Sequence, residues 1–167
     1  SYQPYFTVDK HVEKSMTAKL REDYNRNMRF TLPSPDYLRH IERTLKHIYE
    51  QGVLSAHDAQ FLKEDSIQSI QIVDKNLSTA KEASQLYTVK AAYEHLLNSD
   101  TLRYNKRILQ SCNLDNYLTS NISYDLEKSE SALEDLQGQI SWAKGLVQNG
   151  QRIIDRGEII DEHTYDI

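Results

Sequence analysis

Among the side chains that could do chemistry, His57-Asp58 comes first, because imidazole and carboxylate are the ligand types with which a metal-dependent hydrolase holds divalent ions. Such a centre needs further histidines and aspartates from other helices, and no second His-Asp dipeptide or metal-spaced set accompanies this one. Asp58 has a plainer role near the third position of a helix capped by Ser55. His40 and His47 lie two turns apart on one helix, with Glu50 a turn beyond, and zinc-binding helices present ligands on one face in this way. Between them on that face stand Arg43 and Thr44, neither a usual zinc ligand, so the two histidines read as residues flanking an apolar seam. Tyrosine supplies 11 of 167 residues, and Tyr2, Tyr5, Phe6 and Trp142 could line an aromatic pocket ringed by Arg152, Arg156 and Glu158. Ordinary packing of amphipathic rings accounts for most of these tyrosines, since many fall within helical patterns. No catalytic residue, metal ligand or cofactor is assigned, and ligand-binding residues stay unidentified.

The elements that must position these groups are mostly helices. Val12, Met16, Leu20 and Tyr24 repeat every four residues, which predicts a first helix from Asp9 to about Met28. Its other face, with Lys10, Glu13, Lys14, Arg21 and Asp23, reads as solvated surface. Ser34 before Pro35 is an N-cap with proline at the first helical position, and Gly52 supplies a left-handed stop, bounding a helix from Pro35 to Gln51. Its seam is Leu38, Ile41, Leu45 and Ile48. A helix from about Ala56 to Lys63 follows, then a strand through Ser69 to Val73 and a second strand between Ser78 and Tyr87. Thr88 caps a helix carrying Val89, Ala92, Tyr93, Leu96 and Leu97, and another from near Asp100 holds Leu102, Ile108, Leu109 and Cys112. Thr119 to Tyr124, too polar for a helix, is extended, and Asp125 caps a last helix with inner face Leu126, Leu133, Leu136 and Ile140, closed by Trp142. The segment from Ile140 to Val147 echoes Tyr2 to Val8 as a weak internal repeat, implying a helix upstream of Ser1.

Charge and composition narrow the function classes. With 25 acidic and 20 basic residues, the latter dispersed, the chain has no basic footprint for nucleic acid. A single cysteine, Cys112, excludes an internal disulfide and a cysteine-rich zinc site, and its spacing with Ile108 and Leu109 makes it a core thiol. No apolar run approaches the roughly 20 residues needed to cross a bilayer. The start at Ser1 and the end in mid-pattern at Ile167 suggest a piece of a longer protein.

Three of the five glycines fall between Gly145 and Gly157. Asn149-Gly150 between Leu146-Val147 and Ile153-Ile154 is a strong hairpin signal, and Gly157 separates two Ile-Ile pairs, so the chain is expected to turn there again before Asp161 caps a further helix. The stretch Gly150-Gln151-Arg152-Ile153-Ile154-Asp155-Arg156-Gly157-Glu158-Ile159-Ile160-Asp161-Glu162-His163 resembles the end of the extracytoplasmic domain of seven-transmembrane HD-type phosphohydrolases. That family's pattern reads Gly-Glu-x-Ile-Val-x-x-Gly-Glu-x-Val-Thr-x-Glu; Gln151 and Asp161 depart from it mildly. Tyr2-Gln3-Pro4-Tyr5-Phe6-Thr7-Val8-Asp9 and Asn121-Ile122-Ser123-Tyr124-Asp125 also agree with the family, so the resemblance touches both ends of the chain. Gly150, Arg152, Gly157 and Glu158 carry the motif, with structural roles.

The expected fold is mainly α (α+β), a single helical bundle-like domain over 1–167 with one or two small β-hairpins. The resemblance implies an extracytoplasmic sensing or regulatory domain on the periplasmic side of a cell inner membrane, not itself an enzyme. By the same resemblance its partners are its own transmembrane bundle and a cytoplasmic HD domain that hydrolyses a cyclic dinucleotide such as cyclic di-AMP. An unidentified small-molecule or protein ligand is implied as well, and a homodimer is left open. Two readings from other classes stand beside it: a helical protein-interaction scaffold, and a metal-dependent hydrolase built on His57-Asp58.

Overall fold

The architecture follows from where helical runs are stopped and where the chain doubles back into strands. The computed structural model describes residues 2–148. In chain order the elements are β1 (Tyr5–Val8), α1 (Lys10–Arg26), α2 (Pro35–Gln51), β2 (Val53–Leu54), α3 (Ala56–Glu64), β3 (Ser69–Asp74), β4 (Leu77–Glu82), β5 (Tyr87–Thr88), α4 (Val89–Asn98), α5 (Lys106–Gln110), β6 (Ile122–Tyr124) and α6 (Leu126–Gln148). Short 3-10 turns occupy Met28–Phe30, Ala83–Gln85 and Leu114–Tyr117. The chain divides into two units, Phe6–Tyr124 and a second made of the chain before Phe6 with the chain from Asp125 onward.

In the first unit one core is helical. Asp9 caps α1 by accepting the His11 N–H at 2.9 Å, and Leu20 is fully buried with Val12, Met16 and Tyr24 packed beside it. From α2 the predicted seam Leu38, Ile41, Leu45 and Ile48 is buried, each such side chain contributing about 1.5–3 kcal/mol. Thr88 caps α4 through the Ala91 N–H at 3.0 Å, and Leu96, Leu109, Leu114 and Tyr117 complete this core. Cys112 sits in it, and burial pushes its thiol up from the ordinary range.

A second core lies under a sheet of order β4-β3-β1-β6, where Phe6, Leu54, Leu62, Ile70, Ile72 and Ile122 pack together. β3 and β4 form a hairpin with Ile72 opposite Thr79, and β1 runs antiparallel to β6 with Thr7 opposite Ser123. Val53 and Tyr87 pair in a separate parallel ladder, β2 with β5. The fold is therefore α+β rather than all-α, and the predicted hairpin that becomes β3 and β4 is half of a larger sheet. In the second unit Asp125 caps α6 by accepting the Lys128 N–H at 2.9 Å, and the Ser129 hydroxyl accepts the Tyr5 N–H at 2.8 Å.

Several expectations are corrected. Gly52 has φ 114° and ψ 133°, a glycine conformation but not the left-handed helical one. No helix starts at Asp100: its carboxylate accepts the Arg103 N–H in a turn, Leu102 is 98% exposed, and α5 begins only where Asn105 caps Ile108. Asp23 is not idle surface, for it accepts the Tyr117 hydroxyl at 2.6 Å. α6 continues past Trp142 to Gln148, so Leu146-Val147 is helix rather than a hairpin arm, and the echo of strand β1 in Ile140 to Val147 fails. Leu126 and Ile140 are exposed, leaving Leu133 and Leu136 as the half-buried part of the expected face. The predicted turns at Gly150 and Gly157, with Arg152 and Glu158, lie outside the described residues. Among the described residues no helix is long and apolar enough to cross a membrane.

Candidate functional site

Two of the three constellations suggested by sequence, His57-Asp58 on α3 and His40 with His47 on α2, fall within the first unit, while Arg152, Arg156 and Glu158 of the third lie outside the described residues. His57 stands at the first turn of α3 with its side chain 92% exposed, while Asp58 beside it is 14% exposed. Asp58 is committed locally: its N–H goes to the Ser55 hydroxyl at 3.0 Å and its carboxylate accepts the Tyr124 N–H at 3.3 Å, tying α3 to β6. Its other oxygen lies 3.6 Å from the His57 ring nitrogen, over a shallow hollow shared with Phe61, Glu64 and Asp65. Among the described residues no three His, Cys, Asp or Glu side chains converge as metal ligands do.

His40 and His47 share a face of α2 but not an environment. His40 is buried, its ring stacked on Tyr104 at 3.8 Å and 9° with Nε2 hydrogen-bonded to Ser99 Oγ at 3.2 Å. Burial and the nearby Arg43 guanidinium lower its pKa, against the pull of Asp100 and Asp36. His47 is exposed and faces His95 of α4, ring centroids 6.0 Å apart, with Tyr87 beside both. Periodicity offered no way to find His95, because it belongs to a different helix. The buried tyrosines behave as packing residues whose hydroxyls are used: Tyr37 accepts the Asn105 N–H, Tyr104 donates to Asp36, and Tyr49 donates to the Tyr117 carbonyl. Phe6, proposed to line a pocket, is instead fully buried in the sheet core.

A groove that sequence reading did not find lies where α1 begins, α2 ends and the sheet passes beneath. Its volume is about 610 Å³, and its floor is apolar, formed by Val8, Gly52, Ile72 and Ile122. Both signs of charge stand around that floor: Lys10, Lys14 and Lys81 with Glu13, Glu50 and Asp74. Lys10 reaches across to Asp74 at 2.7 Å, and this hydrogen bond raises its pKa. Lys81 of β4 donates to Gln51 Oε1 at 2.9 Å, fixing the end of α2 over the sheet. Beneath the groove Asn121 is 5% exposed; its Oδ1 accepts the Val53 N–H at 2.7 Å and its Nδ2 donates to the Tyr49 carbonyl at 2.9 Å. The Tyr49 phenol is pushed up by burial and already donates a hydrogen bond, which leaves it unsuited to proton transfer. The groove thus offers apolar surface, charge and hydrogen bonds, the equipment of recognition rather than of an activated nucleophile.

The family model described as 7TM-HD extracellular matches residues 1–167, the whole chain. No curated protein and no solved structure matches it.

Proposed function

The chain belongs to the 7TM-HD extracellular family, as the extracytoplasmic domain of a seven-transmembrane HD-type protein, and from that premise we propose that it senses a ligand outside the membrane and regulates hydrolysis of a cyclic dinucleotide inside. The observation that carries this reading is the match over residues 1–167, which identifies the chain with the extracellular part of such proteins. The hydrolase in this reading is a cytoplasmic HD domain of the same protein, acting on a nucleotide such as cyclic di-AMP at a cell inner membrane, with this domain on the periplasmic side. The transmembrane bundle is the partner that relays the signal. The groove above Asn121 supports a sensing role, since it has room for a small polar molecule with an apolar part.

The test uses membranes carrying the full-length protein and, separately, the 167-residue chain. The membranes should hydrolyse cyclic di-AMP and the isolated chain should not. Small molecules that raise the melting temperature of the chain should change the rate in membranes, because a ligand of the native state stabilises it by mass action. Reversing charge at the groove with Lys14→Glu should weaken both effects. Membranes that hydrolyse no cyclic dinucleotide, with or without ligand, would overturn the proposal.

A further inference from the structure

Three of the chain's six histidines meet on one seam of the first unit, where α4 and the turn after it lie against α2. At one end His40 is buried, stacked on Tyr104 and hydrogen-bonded to Ser99; at the other His47 faces His95 at 6.0 Å. Tyr87 ties this seam to the groove. Its ring lies 5.5 Å from that of His95 and 6.5 Å from that of His47, and its N–H donates to the Gly52 carbonyl at 2.9 Å. Gly52 in turn forms part of the groove floor. An imidazolium at His40 or His95 would be a new charge among the rings packed along the seam.

We propose that His40, His47 and His95 form an acid-sensitive latch, in which protonation of His40 and His95 loosens α4 from α2 and, through Tyr87 and Gly52, reshapes the ligand groove. The charged groups around the latch support this direction. His40 faces Arg43 from its own helix and His95 from α4, both opposing its protonation, with Asp36 and Asp100 opposing them less strongly than burial and Arg43 act. His95 is held below the ordinary histidine value by burial and then by His47 across the seam. A group whose folded pKa is lowered binds its proton more readily in the unfolded chain, so its stabilising effect is complete above the unfolded value near 6.5 and is lost as pH falls below it. Acid, not base, is therefore the signal that opens the seam. The inference stands apart from the proposed nucleotide hydrolysis and needs only this chain.

The experiment follows the histidine imidazole signals of the 167-residue chain by NMR from pH 8 to 5, together with its unfolding in urea. His40 and His95 should titrate below 6.5, and the unfolding constant should rise with acid by up to about tenfold per pH unit for each of the two histidines. The Gly52 amide signal should shift with the same midpoint. His95→Gln, at a half-buried position, should fold at pH 8, lose its share of the acid dependence and uncouple the Gly52 signal. His47→Ala should raise the titration midpoint of His95 by removing the like charge opposite it. His40→Gln tests the buried end, and if that variant does not fold, His95→Gln and His47→Ala decide. His40 and His95 imidazoles that titrate at or above 6.5, or an acid dependence unchanged in His95→Gln, would overturn the latch.

Discussion

Replacing Gly52 by alanine asks the most of the end of α2. The residue has φ 114° and ψ 133°, a region that residues with a Cβ occupy only under strain of about 1–3 kcal/mol. An added Cβ would also stand 3.1 Å from Ile122 Cδ1 and 3.2 Å from Leu86 Cδ2, so both side chains would have to yield a few tenths of an ångström. Strain and crowding together should cost about 2–3 kcal/mol, which for a chain of this size corresponds to a fall of roughly 4 to 12 °C in melting temperature. Urea unfolding followed by circular dichroism should show a lower midpoint with an unchanged slope, the signature of a stability change without a change in the surface exposed. Gly52→Val should cost more, since its branched Cβ meets the same neighbours with two further carbons. An alanine variant that melts with the parent would refute both the φ assignment and the close approach of Ile122.

Asn121→Leu should destabilise by about 2–6 kcal/mol, because the buried Val53 N–H and Tyr49 carbonyl each lose their partner and an unsatisfied group costs about 1–3 kcal/mol; a urea midpoint unchanged from the parent would contradict it. Tyr117→Phe should cost about 1–3 kcal/mol by removing the hydrogen bond to the Asp23 carboxylate, and the phenol of the parent, pushed up by burial and by that carboxylate, should stay protonated in ultraviolet titration after the exposed tyrosines have ionised. His57→Ala should leave the unfolding free energy within about 0.5 kcal/mol of the parent, as expected for an exposed position, whereas Asp58→Ala should lower it by breaking the link to Tyr124. Equal effects of those two substitutions would mean that the pair acts together and that its exposed histidine has been misjudged.

Local punctuation was what the sequence displayed well. Pro35 and Gly52 bound α2, Ser55 and Thr88 cap their helices, and the alternation around Ile70 and Ile72 marks β3, because each of these signals acts within a few residues of itself. What was hidden depends on partners far along the chain. Tyr5–Val8 is too short to announce itself as a strand, and Ile122–Tyr124, read as extended, has its partner only across the chain, where the two pair with each other. Ala80, Lys81 and Glu82 are poor strand formers that β3 holds in place across the hairpin. The same reasoning explains the groove, whose lining comes from α1, α2, β3, β4 and the segment at Asn121, and the pairing of His47 with His95. Cap logic misled at Asp100, where a carboxylate that closes a turn has the same local appearance as one that starts a helix, and in part at Ser34, which precedes α2 without a side-chain hydrogen bond to it.

The residues just after α2 explain why these features converge. The helix must stop where its last turn meets the sheet, and the positive φ with the closeness of Ile122 and Leu86 favours glycine there. Stopping the helix strands the Tyr49 carbonyl and the Val53 N–H away from water, and one asparagine side chain is short enough, and has both an acceptor and a donor, to satisfy the two at once. The Gly52 carbonyl is taken by Tyr87, whose ring borders the paired histidines. The groove floor, the hydrogen-bonded junction beneath it and the histidine seam thus share Gly52 and its neighbours. A change at either the groove or the seam has a direct covalent and hydrogen-bonded route to the other, with no need of motion transmitted through the rest of the core.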